Sequence, residues 1–369
     1  MPEIEIGMGK VARRAYALDD VAIVPSRRTR ETGRVDLGWD VDAFHFDAPV
    51  LAAPSDAVSS PATAAAMGAA GAAAVLHVEG LWGRHEDPEP ILARLEDVDP
   101  ADDLEAISLL REAYAADVRP ELVEARIAEV KASGVTCVVA VSPAGVEGLT
   151  KHLLKAEPDL LAIVAPLVSA EHVGGSGEEP LNLKTFIRRF ELPVLVGGCV
   201  SYQAALHLMR TGAAGVIVRA NPEVRGELGI GGPLATAVAD ARAARMRHLD
   251  ETGVYCQVLA EGGIRTGGDI AKAVACGADA VVLDDVLAGA ADAPGRGWWW
   301  DHGITHATLP VGALWCERVG LAPPLGQVLS GPGLPNLLGA LRKAMALTGY
   351  ESVKELQKAE LVVSSVDIG

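Results

Sequence analysis

Residues 276–283 read Cys-Gly-Ala-Asp-Ala-Val-Val-Leu, and this short stretch contains the pattern that decides the fold. A glycine ends a helix without steric cost because it adopts the left-handed backbone conformation freely, and a short apolar run rich in valine follows it. Residues 133–139 (Ser-Gly-Val-Thr-Cys-Val-Val) and residues 211–218 (Thr-Gly-Ala-Ala-Gly-Val-Ile-Val) repeat the pattern. Uninterrupted apolar runs are typical of parallel strands with both faces buried, so each repeat predicts one strand–helix unit.

Eight runs of this kind occur along the chain, separated by Ala-rich amphipathic stretches. They span residues 49–53, 72–76, 136–141, 160–165, 193–197, 215–218, 257–260 and 280–283. Eight parallel strands that alternate with helices close into a barrel, whereas a doubly wound sheet usually has fewer strands. The sequence therefore predicts a (β/α)8 TIM barrel of the α/β class.

We expect residues 1–369 to form a single domain, because no linker divides the chain. Four segments depart from the regular alternation: an N-terminal arm (1–48), a charged helical insertion (80–126), a flap-like or lid-like segment rich in Gly and Pro (287–336) and a tail (363–369). Within these segments, residues 90–96 and 104–115 have helical patterns, and residues 337–347 are predicted to form the last helix.

The charge balance excludes whole classes of partner. The chain of 369 residues has 32 Lys and Arg against 49 Asp and Glu, a formal net charge of −17. This excess argues against nucleic acid and anionic membranes as partners. The five cysteines include no close CxxC pair, which argues against a disulfide framework or a zinc site. Without an apolar leader or spanning segment in the sequence, we expect a cytoplasmic protein.

The loop after the seventh predicted strand is a Gly-rich turn into a helix N-terminus, where free backbone N–H groups bind anions. Residues 260–270 read Ala-Glu-Gly-Gly-Ile-Arg-Thr-Gly-Gly-Asp-Ile and resemble the DGGIR…GDIxKALAxGA signature of the IMP dehydrogenase and GMP reductase family. Segments 18–25, 52–58, 228–237 and 339–345 resemble the same family in the same order. Within the family, the chain looks most like the IMP dehydrogenase-related paralogue of actinomycetes.

The resemblance implies a role in purine nucleotide metabolism and GMP biosynthesis, in a homotetramer of barrels. In this family a cysteine after strand six attacks the purine of IMP, hydride passes to NAD, and water hydrolyses the adduct with help from an arginine on a flap. The implied ligand is a purine nucleotide or a related small molecule, the implied cofactor is NAD, and a monovalent cation accompanies them. The regulatory CBS insertion of many members is missing from the chain.

The residues depart from the family pattern where the chemistry takes place. Pro222 stands at the position of the family's nucleophilic cysteine, and proline has no ionisable side-chain atom. The loop 218–228 is also shorter than its family counterpart, which leaves the carbonyl geometry of the cation site in doubt. Residues 165–169 (Ala-Pro-Leu-Val-Ser) replace the family's dinucleotide-contacting DSSQG. We therefore expect no covalent purine adduct at this loop.

The expected phosphate clamp is altered as well. Asp284 and Asp285 replace Gly-Ser of the family's Met-Gly-Ser at the end of strand eight. Two like charges 4 Å apart cost about 4 kcal/mol at an effective dielectric constant of about 20. Unless Arg219 or Arg265 compensates, IMP is not expected to bind in the family pose. The interpretation that we prefer is that these arginines, or Arg225, pair with the acids, and we expect no bound metal.

Several residues remain candidates for a binding or catalytic role. The candidate ligand-binding residues are Ser55, Glu261, Gly262, Gly263, Asp284 and Asp285. Glu261 replaces the family's ribose-binding aspartate, and it could hold a divalent cation with the two aspartates. Cys199 and Arg225 are weaker catalytic candidates, and we interpret Cys199 as a buried packing residue.

Two further groups have competing interpretations. His77 and Glu79 could form an acid–base pair, but we interpret His77 as a hydrogen-bonded structural residue. The three tryptophans at 298–300 are interpreted as packing at a subunit contact, with closure over a ligand as the alternative.

Three functions are compatible with these observations. The first is an oxidoreductase of purine nucleotide metabolism. The second is a non-catalytic paralogue that acts as a ligand sensor or assembly subunit. The third is a different barrel chemistry that uses Glu261, Asp284 and Asp285.

Overall fold

The centre of the molecule is a closed barrel of eight parallel strands, each paired with its neighbours in chain order. The structure is a computed structural model that describes residues 3–171, 181–220, 229–301, 316–331 and 336–364. The barrel strands are β1 (Val50–Ala52), β2 (Ala73–His77), β3 (Val138–Val141), β4 (Leu160–Val164), β5 (Val194–Cys199), β6 (Gly215–Arg219), β7 (Gln257–Glu261) and β8 (Ala280–Leu283). Pairing of β8 with β1 closes the barrel. The (β/α)8 prediction is confirmed, with strand ends within two residues of those predicted.

The two faces of the strands pack into two separate cores, which explains why the strand sequences do not alternate between apolar and polar residues. In β8, Val281 and Leu283 belong to the core between barrel and helices. Ala280 and Val282 belong to the core inside the barrel. Because both faces lose contact with water, both need apolar side chains.

Helices surround the barrel and fill the connections between strands. Among the described residues they span Pro61–Ala69, Leu81–Arg84, Glu89–Glu96, Asp103–Tyr114, Pro120–Ala132, Val146–Ala156, Leu183–Ile187, Tyr202–Met209, Leu234–Thr252, Gly267–Cys276, Asp285–Ala288, Leu325–Ser330, Leu337–Thr348 and Val353–Leu356. The helices predicted within the insertion and near the C-terminus are confirmed. In the described part of the chain, no helix is both long and apolar enough to cross a membrane.

The N-terminal arm closes the N-terminal end of the barrel. A hairpin of strands Trp39–Val41 and Phe44–Phe46 packs on the residues inside the barrel. The rings of Trp39 and Phe46 stack with their centroids 5.3 Å apart. Further hairpin strands span Glu3–Gly7 and Lys10–Arg13, and Val21–Ile23 pairs with Leu361–Val363 near the tail. The end of the predicted tail, 365–369, lies outside the described residues.

The lid-like segment forms a two-stranded ribbon over the opposite, C-terminal end of the barrel. Strand Trp298–Trp300 pairs in antiparallel orientation with Cys316–Arg318, while residues 302–315 and 332–335 lie outside the described residues. Trp298 and Trp300 are completely buried within the chain itself. A side chain with no exposed surface is not available to another subunit, so the subunit-contact interpretation of the triplet is wrong for these two residues.

Candidate functional site

A small cavity lies at the C-terminal ends of β6, β7 and β8, the end of the barrel that carries active sites in this fold. Arg219 and Glu261 are opposite each other in the register of β6 and β7, and both end their strands. The cavity has a volume of about 90 Å³. Its walls are formed by Arg219, Ala220, Glu261, Gly262, Gly263, Arg265, Asp284, Asp285, Trp299 and Glu317. Five of the six predicted ligand-binding residues therefore lie together here.

Arg219 is the buried cation of the site, with only 4% of its side chain exposed. Its Nη2 donates a hydrogen bond of 2.7 Å to Asp301 Oδ1, and its Nε lies 3.4 Å from Glu261 Oε1. Burial disfavours the charged guanidinium, but Asp301, Glu261 and Asp284 outweigh it and raise the pKa of Arg219 above its ordinary value. Arg219 is therefore charged at every physiological pH.

Glu261 and Asp284 both lie near Arg219, whose positive charge favours the ionised form of each carboxyl group. Burial raises the pKa of Glu261, and Arg219 opposes this only in part. Burial raises the pKa of Asp284 well above its usual range, and the neighbouring Glu261 raises it further. Asp284 Oδ1 accepts a hydrogen bond of 2.6 Å from Trp299 Nε1, whereas Glu261 Oε1 is buried and accepts none from the described residues. Among the described residues, the cluster thus has more carboxyl groups than cations.

The glycine turn after β7 is required by the close approach of two chain segments. Gly262 has a φ of +107°, and a Cβ placed on it would lie 2.2 Å from the carbonyl oxygen of Ala220. Gly263 also has a positive φ, +66°. A side chain at Gly262 would force β6 and β7 apart at the cavity.

The helix N-terminus beyond this turn is already capped by a carboxylate of the chain itself. Thr266 Oγ1 accepts a hydrogen bond of 3.1 Å from the backbone N–H of Asp269. In return, Asp269 Oδ2 accepts from the backbone N–H groups of Thr266 and Arg265, at 3.0 and 3.3 Å. This capping box occupies the N–H groups of Arg265, Thr266 and Asp269, and its carboxylate adds negative charge at the helix N-terminus.

Arg265 is likewise engaged. Its Nε donates to Asp285 Oδ2 at 2.7 Å, and its Nη2 lies 2.5 Å from the same oxygen. This hydrogen bond raises the pKa of Arg265, whose side chain otherwise extends into solvent. The interpretation that arginines pair with the acids is confirmed for Asp285 with Arg265 and for Glu261 with Arg219. Neither arginine is left uncommitted for a phosphate.

The chain offers no exposed thiol at this end of the barrel. All five cysteines are buried and in the free state, and none lines the cavity. Burial raises the pKa of the Cys199 thiol to about 12, and it raises the pKa of Cys137 and Cys316 to the same level. The interpretation of Cys199 as a packing residue is confirmed. The catalytic-loop positions Pro222 and Arg225 lie outside the described residues.

Ser55 and the His77–Glu79 pair lie at the other half of the barrel mouth. Ser55 is fully buried, does not line the cavity formed by the described residues, and donates a hydrogen bond of 2.9 Å to the carbonyl oxygen of Trp300. His77 Nε2 lies 3.9 Å from Glu79 Oε2, and Glu79 Oε1 accepts a bond of 3.0 Å from Ser142 Oγ. These contacts link β2 to β3 and the loop after β1 to the tryptophan strand.

Three residues at the site were not predicted as binding residues from the sequence: Trp299, Asp301 and Glu317. Trp299 and Glu317 belong to the ribbon and Asp301 directly follows its first strand, so their positions depend on how the ribbon packs over the barrel. The unusual tryptophan triplet was the available signal, because its alternative interpretation was closure over a ligand. In the described ranges, no three His, Cys, Asp or Glu side chains are arranged to bind a metal ion.

The comparisons with known proteins agree on one family. A family model described as the IMP dehydrogenase / GMP reductase domain matches residues 15–306. An uncharacterized oxidoreductase of Mycolicibacterium smegmatis is 49% identical over 378 residues, which cover 98% of this chain and 100% of that protein. The inosine-5'-monophosphate dehydrogenase of Haemophilus influenzae is 31% identical over 244 residues, 59% of this chain and 48% of that protein.

A solved structure extends the agreement to the whole fold. The IMP dehydrogenase/GMP reductase-like protein of Corynebacterium glutamicum superposes with a TM-score of 0.90 at 42% identity, covering 98% of each chain. The match spans nearly all of both chains, including the segments outside the family model. The chain belongs to the IMP dehydrogenase / GMP reductase family.

Proposed function

We propose that this chain binds a purine nucleotide or a related small molecule at the barrel mouth and does not oxidise IMP through a covalent cysteine adduct. Family membership supports the first part of this proposal, and the state of the thiols carries the second. Every cysteine is buried, and the pKa of Cys199, the thiol that ends β5, is about 12. At neutral pH fewer than about one in ten thousand such groups is a thiolate, the form that attacks carbon.

The charges at the cavity support a ligand group other than a phosphate. Asp269 caps the helix N-terminus, Asp285 holds Arg265, and Asp284 adds a further carboxyl group. The volume of about 90 Å³ is room for one functional group of a ligand, with the remainder lying over the open mouth. We propose that a nucleotide, if it binds, does so with its phosphate away from this cavity.

The cavity at β6–β8 is too small for NAD, the cofactor that the family suggests. Small-molecule sites typically measure roughly 300–1,000 Å³, far above the volume of about 90 Å³ of this cavity. We therefore assign no hydride-transfer step to these residues. This observation favours the non-catalytic alternative, a ligand sensor or assembly subunit, over an oxidoreductase.

The assembly and location of the chain belong to the same proposal. We propose a homotetramer in the cytoplasm, on the strength of family membership. Light scattering coupled to gel filtration measures the mass of the assembly directly. A monomer at micromolar concentration would reject the tetramer without affecting the proposed ligand binding.

The decisive experiment incubates the purified chain with IMP and NAD and follows NADH absorbance, beside a cysteine-dependent IMP dehydrogenase as positive control. We expect no NADH above the enzyme-free background. Production that saturates with IMP would overturn the proposal. A thermal-shift panel of purine nucleosides, nucleotides and NAD(P) tests binding, and the absence of any stabilising purine would contradict the purine part of the proposal.

A further inference from the structure

We propose that the cavity beside Trp299 binds the cationic group of a small organic molecule, an ammonium or a guanidinium, through Glu261 and Asp284. The inference rests on the proposed binding role of the barrel mouth and names the chemical class that this cavity selects. It is opposite in charge to the phosphate that the sequence motif suggested.

The first argument is the local charge. Counting Asp301 with the cavity wall, two arginines face five carboxyl groups among the described residues, a formal excess of three negative charges. Arg219 donates its short hydrogen bond to Asp301, and Arg265 donates its short hydrogen bond to Asp285. Among the described residues, the closest cation contact of the Glu261 carboxylate is the 3.4 Å contact with Arg219. A cation entering the cavity offsets the excess of carboxyl groups on its described wall.

The second argument is a missing hydrogen-bond donor. Glu261 is 3% exposed, lines the cavity, and its Oε1 accepts no hydrogen bond from any described residue. A buried carboxylate oxygen without a donor is costly, since it has lost water without replacement. Ammonium and guanidinium groups supply both charge and N–H donors. A bare metal ion supplies no donor, and the described carboxyl groups are not arranged for one.

The third argument is the aromatic wall. Trp299 borders the cavity, and its Nε1 is held by Asp284 Oδ1 at 2.6 Å, which fixes the indole in place. The cavity volume of about 90 Å³ accommodates a cationic head group but not a whole nucleotide.

Binding of a cation at this site is linked to proton release. Burial raises the pKa values of Glu261 and Asp284, and a bound cation opposes this shift because it favours their charged forms, so cation binding and proton release are coupled where these carboxyl groups titrate. The charged groups that face Glu261 are Arg219 on β6, Asp284 after β8 and Asp301 after the tryptophan strand. Arg265, Asp285 and Glu317 complete the wall. Affinity for the cation is therefore expected to increase with pH.

The experiment is calorimetric titration of the full chain with n-butylammonium, n-butylguanidinium and, as the uncharged match in size, n-butanol. We expect saturable binding of one cation per chain, tighter at the higher of two pH values and accompanied by proton release, with at least about tenfold weaker binding of the alcohol. Equal binding of n-butylammonium and n-butanol by the wild-type chain would overturn the inference.

Variants locate the site. Glu261→Gln keeps the shape and removes the charge, and we expect about tenfold or greater loss of cation affinity. Asp284→Asn is expected to act in the same direction, whereas Glu105→Gln, an exposed glutamate on helix Asp103–Tyr114, controls for general attraction to an acidic protein. Unchanged affinity in folded Glu261→Gln rejects the inference. If Glu261→Gln does not fold, the inference is tested by the cation affinity of Asp284→Asn and by the preference of the wild-type chain for n-butylammonium over n-butanol. Unchanged affinity in the former or no preference in the latter rejects it.

The outcomes separate this inference from the proposed function. Binding of purine nucleosides without any preference for cations rejects only the inference. Binding of the cations without any purine ligand rejects only the purine part of the proposed function.

Discussion

The barrel has a buried arginine–carboxylate cluster at each end, and the two clusters are built differently. At the N-terminal end a single carboxylate, Asp279, receives hydrogen bonds of 2.6–2.9 Å from five donors: Arg245 Nη1, Lys354 Nζ, the Val258 N–H, Tyr255 OH and Gln357 Nε2. At the C-terminal end the buried Arg219 faces Glu261, Asp284 and Asp301. Among the described residues, hydrogen-bond donors are in excess at the N-terminal end and carboxyl groups are in excess at the C-terminal end.

The difference is the one expected between a structural site and the binding site that we propose. Asp279 joins the start of β7 to the C-terminal helix Val353–Leu356, and its oxygens are fully used. Glu261 has an oxygen without a hydrogen bond and faces a cavity. A cluster that is complete within the chain stabilises the fold, whereas one that lacks a cation and a donor is stabilised when a ligand supplies them.

The largest effect is expected from Asp279→Asn. The substitution leaves Arg245 buried beside Lys354 without a negative partner, so the free energy of unfolding should fall by about 3–5 kcal/mol. Urea denaturation measures it. Asp285→Asn is the matched control at the other end, where the exposed Arg265 makes the pair worth about 1 kcal/mol or less. Equal losses in the two variants would refute the distinction between the ends.

A smaller effect of opposite sign is expected from Glu261→Gln and from Asp284→Asn. Each removes a carboxyl group from a cluster that has too many, so near neutral pH the free energy of unfolding should stay constant or rise by about 1 kcal/mol. The same denaturation curves provide the measurement. A loss of more than about 2 kcal/mol in both folded variants would mean that these carboxyl groups stabilise the protein as Asp279 does.

The pH dependence of stability should differ between wild type and the double variant Glu261→Gln/Asp284→Asn. Both carboxyls have raised pKa values in the folded chain, which therefore binds their protons more tightly than the unfolded chain does. Their stabilising contribution is complete below the ordinary carboxyl pKa and is lost as pH rises through the raised values. Between the ordinary and the raised pKa values, the free energy of unfolding of the wild type should fall relative to that of the variant. The expected decrease is up to about 1.4 kcal/mol per pH unit for each of the two groups. Parallel curves would contradict the raised pKa values.

The smallest effect is expected from IMP or GMP in a thermal-shift measurement. A ligand present near its Kd stabilises by only about 0.4 kcal/mol, which corresponds to about one degree or less in Tm for a chain of this size. The carboxyl groups at the cavity keep the nucleotide in this weak regime. A rise of several degrees at sub-millimolar IMP, abolished by Arg265→Ala, would show that the site accepts phosphate after all.

The barrel was predictable because its signal is local. Each apolar run, such as residues 280–283, specifies a strand buried on both faces, and the glycine before it ends the preceding helix. The meeting of Glu261, Asp284 and Gly262 was predictable for a related reason. They follow or end neighbouring strands, and parallel strands of a barrel bring their C-terminal ends together.

The ribbon and its contacts were not predictable in the same way. Asp301 bonds to Arg219 across 82 positions of sequence, and Trp299 bonds to Asp284 across 15. Such contacts depend on where the ribbon packs, and no periodicity in residues 298–300 encodes that placement. The interpretation as a subunit contact failed for Trp298 and Trp300 because bulky aromatic residues are equally suited to covering a barrel within one chain.

The sequence by itself determined the eight strands, the proline at position 222 and the acids at the ends of β7 and β8. These follow from residue type and local pattern. Only the tertiary structure decided that Arg219 pairs most closely with Asp301 and that one oxygen of Glu261 lacks a hydrogen-bond donor among the described residues. It also decided that burial raises the pKa values of Glu261 and Asp284. The reason is physical: pairing and desolvation depend on distances between groups remote in sequence, and these distances exist only after folding.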